Sequence, residues 1–592
     1  MFSKVMVANR GEIAVRIIRA LEELDVASVA VYSELDRDAL HVTRAEEAFL
    51  LGAGPAAESY LNVDKLLEVA RRAEVDAIHP GYGFLSENAG FARTCEEAGI
   101  VFIGPPADAI DAMGSKTRAR ELMADAGVPI VPGTTDSVES VKDAKRIIKA
   151  DIGYPVAVKA AGGGGGKGFR IAASEDELEA AFDGAAREGE KFFSDATVYL
   201  ERYLPDPRHV EVQVLADGEG NAVHLGERDC SVQRRHQKLI EESPAPAVDD
   251  ELRARIGKIA VDAAKAVGYR SAGTVEGLLS EGDEGDPAEY FFLEMNTRVQ
   301  VEHCVTEMTT GIDIVKEQIR IAAGEPLSVA QEDIVLRGHA IECRINAENA
   351  AANFAPAPGR IGAYREPAGP GVRVDSGVGP GSEITPMYDP MVAKLIVWDS
   401  DREQATKRML RALGEFEITE LTTLVPFHQA LLASEQWAAG ETCRDLIEDE
   451  EWLASVASPP DVPSQEEDDE PEVVQDYTVE VSGRRFEVKV IGPPAGPAAN
   501  GAAPASARKP PHRERGGSGG GGGDTLPSPL QGTVLKVAVE QGASIETGAL
   551  VCVIEAMKME NEITAPKSGT VAELPISVGA SVASGDTLAV IS

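Results

Sequence analysis

A linker of unusual composition divides this chain near its C-terminal end. Residues 492–524, GPPAGPAANGAAPASARKPPHRERGGSGGGGGD, consist mainly of Gly, Ala, Pro and Ser with a few basic residues. Such a segment cannot bury enough apolar surface to fold, and chain statistics give it a root-mean-square span of roughly 30–35 Å. The chain therefore cannot form one continuous globule. We expect folded parts on both sides, with the linker acting either as an inert spacer or as a tether for a part that must move.

The part that follows the linker contains an internal repeat. Residues 528–554 align with residues 565–591 at a constant offset of 37, without gaps and with ten identical positions. Two similar β-rich halves predict a small all-β domain with pseudo-twofold symmetry over 526–592. The segment that joins the halves, EAMKMENEIT, must turn, and Lys558 stands at the predicted turn.

The part before the linker alternates strand-like and helical stretches. This alternation is typical of an α/β fold with an open sheet. We divide it into an N-terminal α/β region at 1–113, a second α/β region at 114–330 and a third region at 335–445. Residues 446–525 are predicted to be a connecting region, which includes the linker at 492–524 and carries one short β-hairpin at 477–490.

Composition excludes several classes of protein. The 592 residues include 57 Lys and Arg against 98 Asp and Glu, and the formal net charge of −41 disfavours nucleic acid as a partner. The 6 cysteines lie far apart without a Cys-x-x-Cys pair, which argues against a disulfide framework or a zinc ribbon. No stretch reaches the roughly 18–20 apolar residues of a membrane span, and the N-terminus does not resemble a signal peptide. We expect a soluble, cytoplasmic protein.

A glycine-rich loop, AGGGGGKG at residues 161–168, follows a strand-like stretch. It is not a Walker P-loop, because that pattern requires Gly at 161 and Ser or Thr at 168, where this chain has Ala161 and Gly168. It can still close over phosphate groups, since glycine lets backbone N–H groups approach closely. A flexible turn is the alternative. Lys116 and Lys159 add cations suited to phosphate oxygens.

Alternating polar residues occupy the segment EYFFLEMNTRVQVEH, and they are Glu294, Asn296, Arg298, Gln300 and Glu302. On a strand these residues line one face. Burying such side chains unpaired is costly, so the row indicates either a functional site or an edge strand whose polar face is solvated. Glu276 lies in another strand-like stretch. Together with Glu294 and Asn296 it would form an all-oxygen Mg²⁺ site, because Mg²⁺ typically takes one or two carboxylates plus nucleotide phosphates.

Several segments then resemble, in family order, those of biotin carboxylases, which contain an ATP-grasp module. They are KVMVANRGEIAVRI, HPGYGFLSEN, the glycine loop, RHQK, EMNTRVQVEH and ECRINAE, within about 445 residues. After the linker, Glu-Ala-Met-Lys-Met resembles the biotin carrier domains of carboxylases, whereas the related lipoyl domains usually have Asp-Lys-Ala. The whole layout is similar to the α subunit of an acyl-CoA (acetyl- or propionyl-CoA) carboxylase, a biotin carboxylase fused to its carrier protein.

This resemblance implies a pre-ATP-grasp Rossmann-like domain at 1–113, an ATP-grasp domain at 114–330, a biotin carboxylase C-terminal domain at 335–445 and a biotinyl carrier domain at 526–592. The chain departs from the family pattern at Cys304, where proline is usual. Losing that rigid turn is expected to loosen the site without removing a reacting group. The pair His303 and Cys304 also suggests a metal site. Because only two adjacent candidate ligands are present, we favour a role in structural packing.

The resemblance also implies a role for each site residue in an ATP-dependent carboxylation of biotin on Lys558, with bicarbonate as the carbon source. The expected ATP contacts are Lys116, Lys159, Gly165, Gly166, Glu201, Leu204, His209 and His236. The expected Mg²⁺ (or Mn²⁺) ligands are Glu276, Glu294 and Asn296. The expected bicarbonate contacts are Lys238, Arg298 and Val301, with Glu302 as the base and Arg344 stabilising the biotin enolate.

The expected cofactors are biotin, ATP and Mg²⁺, and the expected partners are a biotin protein ligase and a carboxyltransferase β subunit. The chain lacks a carboxyltransferase region, so we expect it to be half of an enzyme that forms an oligomer with its partner. The hairpin at 477–490 is the hypothetical docking element. Two alternatives remain open, namely the biotin carboxylase subunit of a two-subunit pyruvate carboxylase and an inactive biotin-carrying scaffold.

Overall fold

A computed structural model describes residues 1–592 except 135, 161–167, 194, 236, 281–287, 457–472, 482–483, 493–524, 529–531, 557–558, 578–579, 583–585 and 592. Four predicted site residues, Gly165, Gly166, His236 and Lys558, lie outside the described residues, as do most of the linker and the glycine loop. The side chain of Lys116 is likewise not described.

The N-terminal region is built on a five-stranded parallel sheet in the order β3-β2-β1-β4-β5. Its strands are β1 (Lys4–Val7), β2 (Ala27–Ser33), β3 (Glu47–Gly52), β4 (Ala77–His79) and β5 (Val101–Phe102). Its helices are α1 (Gly11–Glu22), α2 (Leu40–Arg44), α3 (Val63–Arg72), α4 (Ala89–Glu97) and α5 (Ala107–Gly114). The predicted spacing of Ile13, Ile17 and Leu21 does form one buried face of α1.

A small antiparallel sheet follows, with strand order β7-β6-β8. Its elements are α6 (Lys116–Asp125), α7 (Val141–Ile147), β6 (Val156–Ala160), β7 (Phe169–Ala172), α8 (Leu178–Phe193) and β8 (Val198–Arg202). Its core is apolar, since Val156, Val158 and Leu200 are fully buried. The glycine-rich segment connects β6 with β7, so the predicted strand before it is present.

The largest element is an eight-stranded sheet in the order β13-β12-β9-β10-β11-β14-β21-β19. Its first strands are β9 (Arg208–Ala216), β10 (Ala222–Arg234), β11 (Gln237–Ser243), β12 (Ser271–Ser280) and β13 (Glu289–Asn296). The helices α9 (Asp250–Ala266), α10 (His303–Thr310) and α11 (Ile314–Ala322) lie between or after these strands in the chain. Asp249 and Asp313 accept a backbone N–H at the first turns of α9 and α11, which satisfies donors that a helix start leaves free.

The same sheet continues into the third region, because β14 pairs antiparallel with β11. The strands here are β14 (His339–Asn346), β15 (Glu348–Asn349), β16 (Ala355–Pro356), β17 (Gly359–Arg360), β18 (Tyr364–Arg365), β19 (Val372–Ser376), β20 (Glu383–Ile384), β21 (Met391–Asp399) and β22 (Glu417–Ile418). The helices are α12 (Arg402–Glu415), α13 (Val425–Leu432), α14 (Glu435–Ala439), α15 (Arg444–Glu448) and α16 (Glu450–Val456). One core cluster therefore joins strands from both sides of residue 335.

Two further units follow in the chain. The predicted hairpin is present and longer than expected, as β23 (Val473–Val481) pairs antiparallel with β24 (Arg484–Gly492). The C-terminal unit has two four-stranded sheets, β25-β32-β30-β27 and β29-β28-β26-β31. Its strands are β25 (Thr525–Pro527), β26 (Gly532–Val537), β27 (Ser544–Ile545), β28 (Leu550–Ala556), β29 (Met559–Thr564), β30 (Gly569–Glu573), β31 (Ser581–Val582) and β32 (Thr587–Ile591).

The repeat predicted from the sequence explains the order of these last strands. Strands β26, β27 and β28 begin 37 residues before β30, β31 and β32, which is the offset of the sequence repeat. The equivalent strands occupy equivalent places in the two sheets, so the predicted pseudo-twofold symmetry is confirmed. Lys558 lies outside the described residues, between paired strands whose ends are Ala556 and Met559.

Candidate active site

A row of ionic side chains crosses the large sheet. Glu276 of β12 is directly opposite Glu294 of β13 on one side and Glu211 of β9 on the other. Glu211 is in turn directly opposite Arg228 of β10. Directly opposite residues of an antiparallel pair project from the same face, and like charges in that position destabilise a sheet. Three adjacent glutamates therefore require cations among them.

Lys238 supplies one of these cations. Its ammonium nitrogen lies 2.6 Å from Glu211 Oε2, 3.1 Å from Glu276 Oε1 and 2.6 Å from Glu302 Oε1. An ammonium group has three donors, so the three carboxylates can use all of them. Lys238 is 9% exposed and Glu211 is fully buried, and ion pairs in such surroundings are weakly screened.

Arg228 fixes the other side of Glu211. Its guanidinium donates to Glu211 at 2.7 Å, and it also donates to Gln213 and Gln300, each at 2.7 Å. Arg228 is fully buried, and planar guanidinium groups suit such fixed multiple contacts. Arg228 thus links the sheet to the segment that carries Gln300. Neither Glu211 nor Arg228 was predicted as a site residue, although the recognised motif RHQK follows Arg228 closely in the chain.

The predicted polar row is only partly a strand. Strand β13 ends at Asn296, and α10 begins at His303, so Arg298, Gln300 and Glu302 lie in the connecting segment. The strand prediction is therefore wrong for residues 297–302, because alternation alone cannot show where a strand stops. These side chains nevertheless converge, since Gln300 donates to Glu276 at 2.6 Å and Arg298 donates to Asn296 at 3.0 Å.

Arg298 is held in place by the N-terminal region. Glu87, in the HPGYGFLSEN segment, accepts from Arg298 Nε at 2.9 Å and from the backbone N–H of Thr297 at 3.0 Å. A single carboxylate thereby fixes the start of the connecting segment. Glu87 was not predicted as a site residue, and only its position in a recognised motif gave a signal.

The predicted metal ligands lie on two paired strands. Glu276 and Glu294 are cross-strand partners, and Asn296 lies opposite Thr274, two positions along the same pair. Glu276 Oε1 also accepts from Asn296 Nδ2 at 2.7 Å. Two carboxylates and an amide on adjacent strands form the oxygen donor set that Mg²⁺ prefers, so these residues fit the predicted ion.

His209 contacts this donor set. Its Nε2 lies 2.8 Å from Glu276 Oε2, and both side chains are buried. Burial alone would lower the pKa of His209, but the charge and the hydrogen bond of Glu276, together with the charge of Glu211, outweigh it and raise this pKa. The predicted nucleotide contact is thus placed at the edge of the predicted metal site.

Glu201 and Lys159 are brought together in the small sheet. They are neighbours on β8 and β6, and Lys159 donates to Glu201 Oε2. Arg120 donates to the other oxygen of Glu201 at 2.5 Å. Leu204 is buried in a small apolar cluster with Val131. Among the residues predicted to contact ATP, Lys159 and Glu201 therefore lie on the small sheet and His209 on β9 of the large sheet, while Leu204 packs against Phe291 of β13.

Arg344 completes the ionic cluster. It lies on β14, and its Nη2 donates to Glu302 Oε2 at 2.9 Å. Burial alone would raise the pKa of Glu302, but Lys238 and then Arg344 outweigh it and hold that pKa well below its ordinary value. Glu302 is only 2% exposed, and these cations keep it as a carboxylate in spite of its burial. A buried carboxylate with fixed partners is a candidate proton acceptor.

The His303–Cys304 pair was interpreted as packing rather than as a metal site. In the structure, ligand atoms of His303, Cys304 and Glu307 lie within 4.8 Å of one another, and all three residues are buried. The carboxylate of Glu307, however, accepts from Arg16 at 2.9 Å and from Arg373 at 2.7 Å. These ion pairs already compensate the buried charge, which supports the packing interpretation.

Replacing Lys238 with Met tests the ionic cluster. The variant keeps the apolar stem but leaves Glu211, Glu276 and Glu302 without their shared cation. Breaking a buried ion pair in this way costs about 3–5 kcal/mol, so we expect a clear fall in the urea concentration at the midpoint of unfolding. Lys316→Met is the matched control, because Lys316 pairs with Glu23 near the surface. Its expected cost is below about 1 kcal/mol, and equal shifts in the two variants would contradict the interpretation.

Four parts of the chain match known protein families. Residues 1–110 match "Biotin carboxylase, N-terminal domain", and residues 115–330 match "Carbamoyl-phosphate synthase L chain, ATP binding domain". Residues 342–449 match "Biotin carboxylase C-terminal domain", and residues 524–591 match "Biotin-requiring enzyme". These families confirm the predicted fold class and agree with biotin, ATP and Mg²⁺ as the cofactors. Within the described residues, no helix combines the length and apolar character of a membrane span.

Relatives and a solved structure agree with these matches. The chain is 46% identical over 572 residues to the biotin-dependent acyl-coenzyme A carboxylase alpha3 subunit of Mycobacterium leprae, and the match covers 95% of this chain and 94% of that protein. It is 53% identical over 449 residues to one of the pyruvate carboxylase subunits of Methanothermobacter thermautotrophicus, and that match covers 76% of this chain and 90% of the relative.

The solved structure is the biotin carboxylase domain dimer of the Hydrogenobacter thermophilus 2-oxoglutarate carboxylase, bound to MgADP, ADP and bicarbonate. It shares 49% sequence identity and a TM-score of 0.71, and it covers 76% of this chain and 99% of that one. Together with the family matches and the assembled ionic site, this similarity shows that the chain belongs to the biotin carboxylase family, fused here to a biotin-lipoyl domain.

Proposed function

We propose that this chain carboxylates biotin carried by its own C-terminal domain, using ATP and bicarbonate, as the first half-reaction of an acyl-CoA carboxylase. The observation that carries the proposal is the buried cluster in which Glu302 contacts Lys238 at 2.6 Å and Arg344 at 2.9 Å. A fixed carboxylate between two cations can take a proton while the cations offset the charge that develops nearby.

The bicarbonate step uses residues of the connecting segment and of β11. Glu302 acts as the base that removes the bicarbonate proton, and Lys238 and Arg298 offset the negative charge of the anion. Val301 offers its backbone to the same anion. The carbonyl of Val301 accepts from Lys394 Nζ at 2.8 Å, so the backbone next to the base is fixed by a neighbouring strand.

In the step that uses ATP, a phosphoryl group passes from ATP to bicarbonate. As in other phosphoryl transfers, the protein chiefly positions the reactants and neutralises the charge of the phosphate oxygens. We assign ATP contacts to Lys116, Lys159, Gly165, Gly166, Glu201, Leu204, His209 and His236. Glu276, Glu294 and Asn296 would hold Mg²⁺, which Mn²⁺ could replace, and the ion would shield the phosphate oxygens. The fixed positions of Lys159, Glu201 and His209 support these assignments.

Biotin would be the carrier of the carboxyl group. When bound, it would supply a ureido nitrogen that takes the carboxyl group from carboxyphosphate, while the phosphate that is released removes the proton of that nitrogen. We assign the attachment to Lys558, because this lysine lies in the sequence segment that joins the two repeats of a domain that matches "Biotin-requiring enzyme". We assign to Arg344 the stabilisation of the biotin enolate. An arginine suits this role because its guanidinium does not lose its own proton.

Glu302→Gln tests the catalytic proposal. The wild-type chain should hydrolyse ATP in a manner that requires bicarbonate and is accelerated by free biotin. Loss of a general base lowers such a rate by about 10²–10⁴-fold, and we expect a fall of this size in the variant. The measurement is phosphate release from the purified full-length chain.

The control for this experiment is Glu325→Gln, because Glu325 is exposed and lies outside the cluster. It should keep the wild-type rate. A folded wild-type chain that binds ATP but shows no dependence on bicarbonate would contradict the proposal and favour the inactive scaffold.

Lys558→Arg tests the site of attachment. Arginine keeps a positive charge but has no primary amine that can form the amide with biotin. We expect the intact mass of the wild-type chain to rise by one biotinyl group after incubation with biotin protein ligase, and the mass of the variant to stay unchanged. Lys536→Arg, at an exposed lysine of the same domain, is the control and should still be modified. Modification of Lys558→Arg would overturn the assignment.

The acyl-CoA assignment is supported by the relative that matches the chain nearly end to end, since the match extends through the carrier domain. The pyruvate carboxylase relative and the 2-oxoglutarate carboxylase domain each match only 76% of the chain. The substrate is chosen by the carboxyltransferase partner rather than by this chain. The two-subunit pyruvate carboxylase therefore remains the second candidate.

Removing residues 477–490 tests the proposed docking of that partner. The deletion removes most of the antiparallel pair β23–β24, and we expect the carboxyltransferase subunit to be lost on co-purification. An equally long deletion in the linker, 501–514, is the control and should leave the complex intact. Unchanged assembly after removal of 477–490 would contradict docking at this hairpin.

Carboxylation of acetyl-CoA or propionyl-CoA, but not pyruvate or 2-oxoglutarate, by the intact complex would identify the substrate class.

A further inference from the structure

Arg344 contacts a second carboxylate that the proposed mechanism does not use. Its Nε donates to Glu241 Oε1 at 2.6 Å, while its Nη2 donates to Glu302 at 2.9 Å. One guanidinium thus bridges two glutamates from different elements, β11 and the segment before α10. We propose that Glu241 is a positioning residue that holds Arg344 toward biotin, an inference that rests on the proposed function.

The backbone of β11 explains how Glu241 reaches this face. The pairing of β11 with β10 shifts register between Ile240 and Lys238, which marks a β-bulge. A bulge adds one residue and re-aims the side chains beyond it. Lys238 and Glu241, three residues apart, can therefore both contact the cluster around Glu302, although residues three apart face opposite sides of a regular strand.

Glu241 is placed where its charge must be compensated. It is fully buried, and it lies directly opposite Glu342 of β14, which is also fully buried. Both oxygens of Glu342 lack a hydrogen-bond partner among the described residues, and burial raises the pKa of Glu342 well above its ordinary value. Burial likewise raises the pKa of Glu241, to about 7, and Arg344, two residues further along β14, is the cation that opposes this rise and contacts Glu241.

The contact of Arg344 with two carboxylates has a function if one of the two carboxylates changes its charge during the reaction. Glu302 becomes neutral when it takes the proton of bicarbonate, and its attraction for Arg344 then weakens. Glu241 takes no part in that transfer and keeps its contact with Nε. The guanidinium is therefore still held when biotin needs the cation, and it does not have to reorganise.

The next residue in the chain is a natural control. Glu242 is also buried and ion-paired, but it contacts His339 and Arg402 at 2.8 and 2.7 Å, away from the Glu302 cluster. Glu241→Gln and Glu242→Gln thus alter one buried carboxylate each at adjacent positions. Only the first change touches Arg344.

The test compares two rates in the full-length chain carrying Lys558→Arg, so that free biotin is the only acceptor. The first is bicarbonate-dependent ATP hydrolysis without biotin, and the second is the rate with added biotin. We expect Glu241→Gln to lower the ratio of the second rate to the first by about tenfold or more, the size of a lost charge-assisted hydrogen bond, and to raise the KM for biotin. Glu242→Gln should keep the ratio within about twofold of the parent.

A purely structural role of Glu241 would lower both rates together and leave their ratio unchanged, which would overturn the inference. The midpoint of thermal unfolding, measured on both variants without biotin, detects such a general loss of stability. Absence of any bicarbonate-dependent hydrolysis in the parent would instead refute the proposed function, so the two failures are distinguishable.

A double-mutant cycle with Arg344→Gln gives a second test. If Glu241 acts through Arg344, Glu241→Gln should change the ratio little once Arg344 has been replaced. An equal effect of Glu241→Gln in both backgrounds would show that Glu241 acts independently of Arg344 and would overturn the inference.

Discussion

The alignment of Glu294, Glu276 and Glu211 across three neighbouring strands is the constraint on which the site depends. Directly opposite carboxylates repel one another, and burial strengthens that repulsion. Lys238 and Arg228 offset it from the adjacent strands, and the predicted Mg²⁺ would offset it further. The sheet is therefore arranged around a concentration of negative charge that cations must compensate, which is the setting in which a divalent ion binds.

The ionic cluster also connects regions that are distant in sequence. Glu87 of the N-terminal region fixes Arg298, and Lys394 of β21 fixes the carbonyl of Val301. Arg344 of β14 then closes the cluster on Glu302. Because each contact comes from a different element, the segment 297–302 needs no regular secondary structure of its own. Its position is determined by side chains that reach it from the surrounding elements.

Cys304 shows how a departure from the family pattern is accommodated. The sequence predicted a looser site, since a rigid proline is missing. In the structure Cys304 is fully buried in the first turn of α10, and its sulfur lies 3.2 Å from Lys394 Nζ and 3.2 Å from Asp375 Oδ2. The position is thus held by polar contacts in place of a restricted backbone angle.

A repeat, a linker and a motif are local patterns, so the two-part organisation, the symmetric carrier domain and most of the residue types at the site could be predicted before the fold was known. The sequence could not determine where β13 ends, since alternating polarity continues beyond Asn296 into the connecting segment. It also contained no signal for Glu241, whose role depends on a β-bulge and on the pairing of β11 with β14. Which charges become neighbours follows from the folded sheet, because strand pairing brings together residues that lie more than a hundred positions apart, such as Glu241 and Arg344.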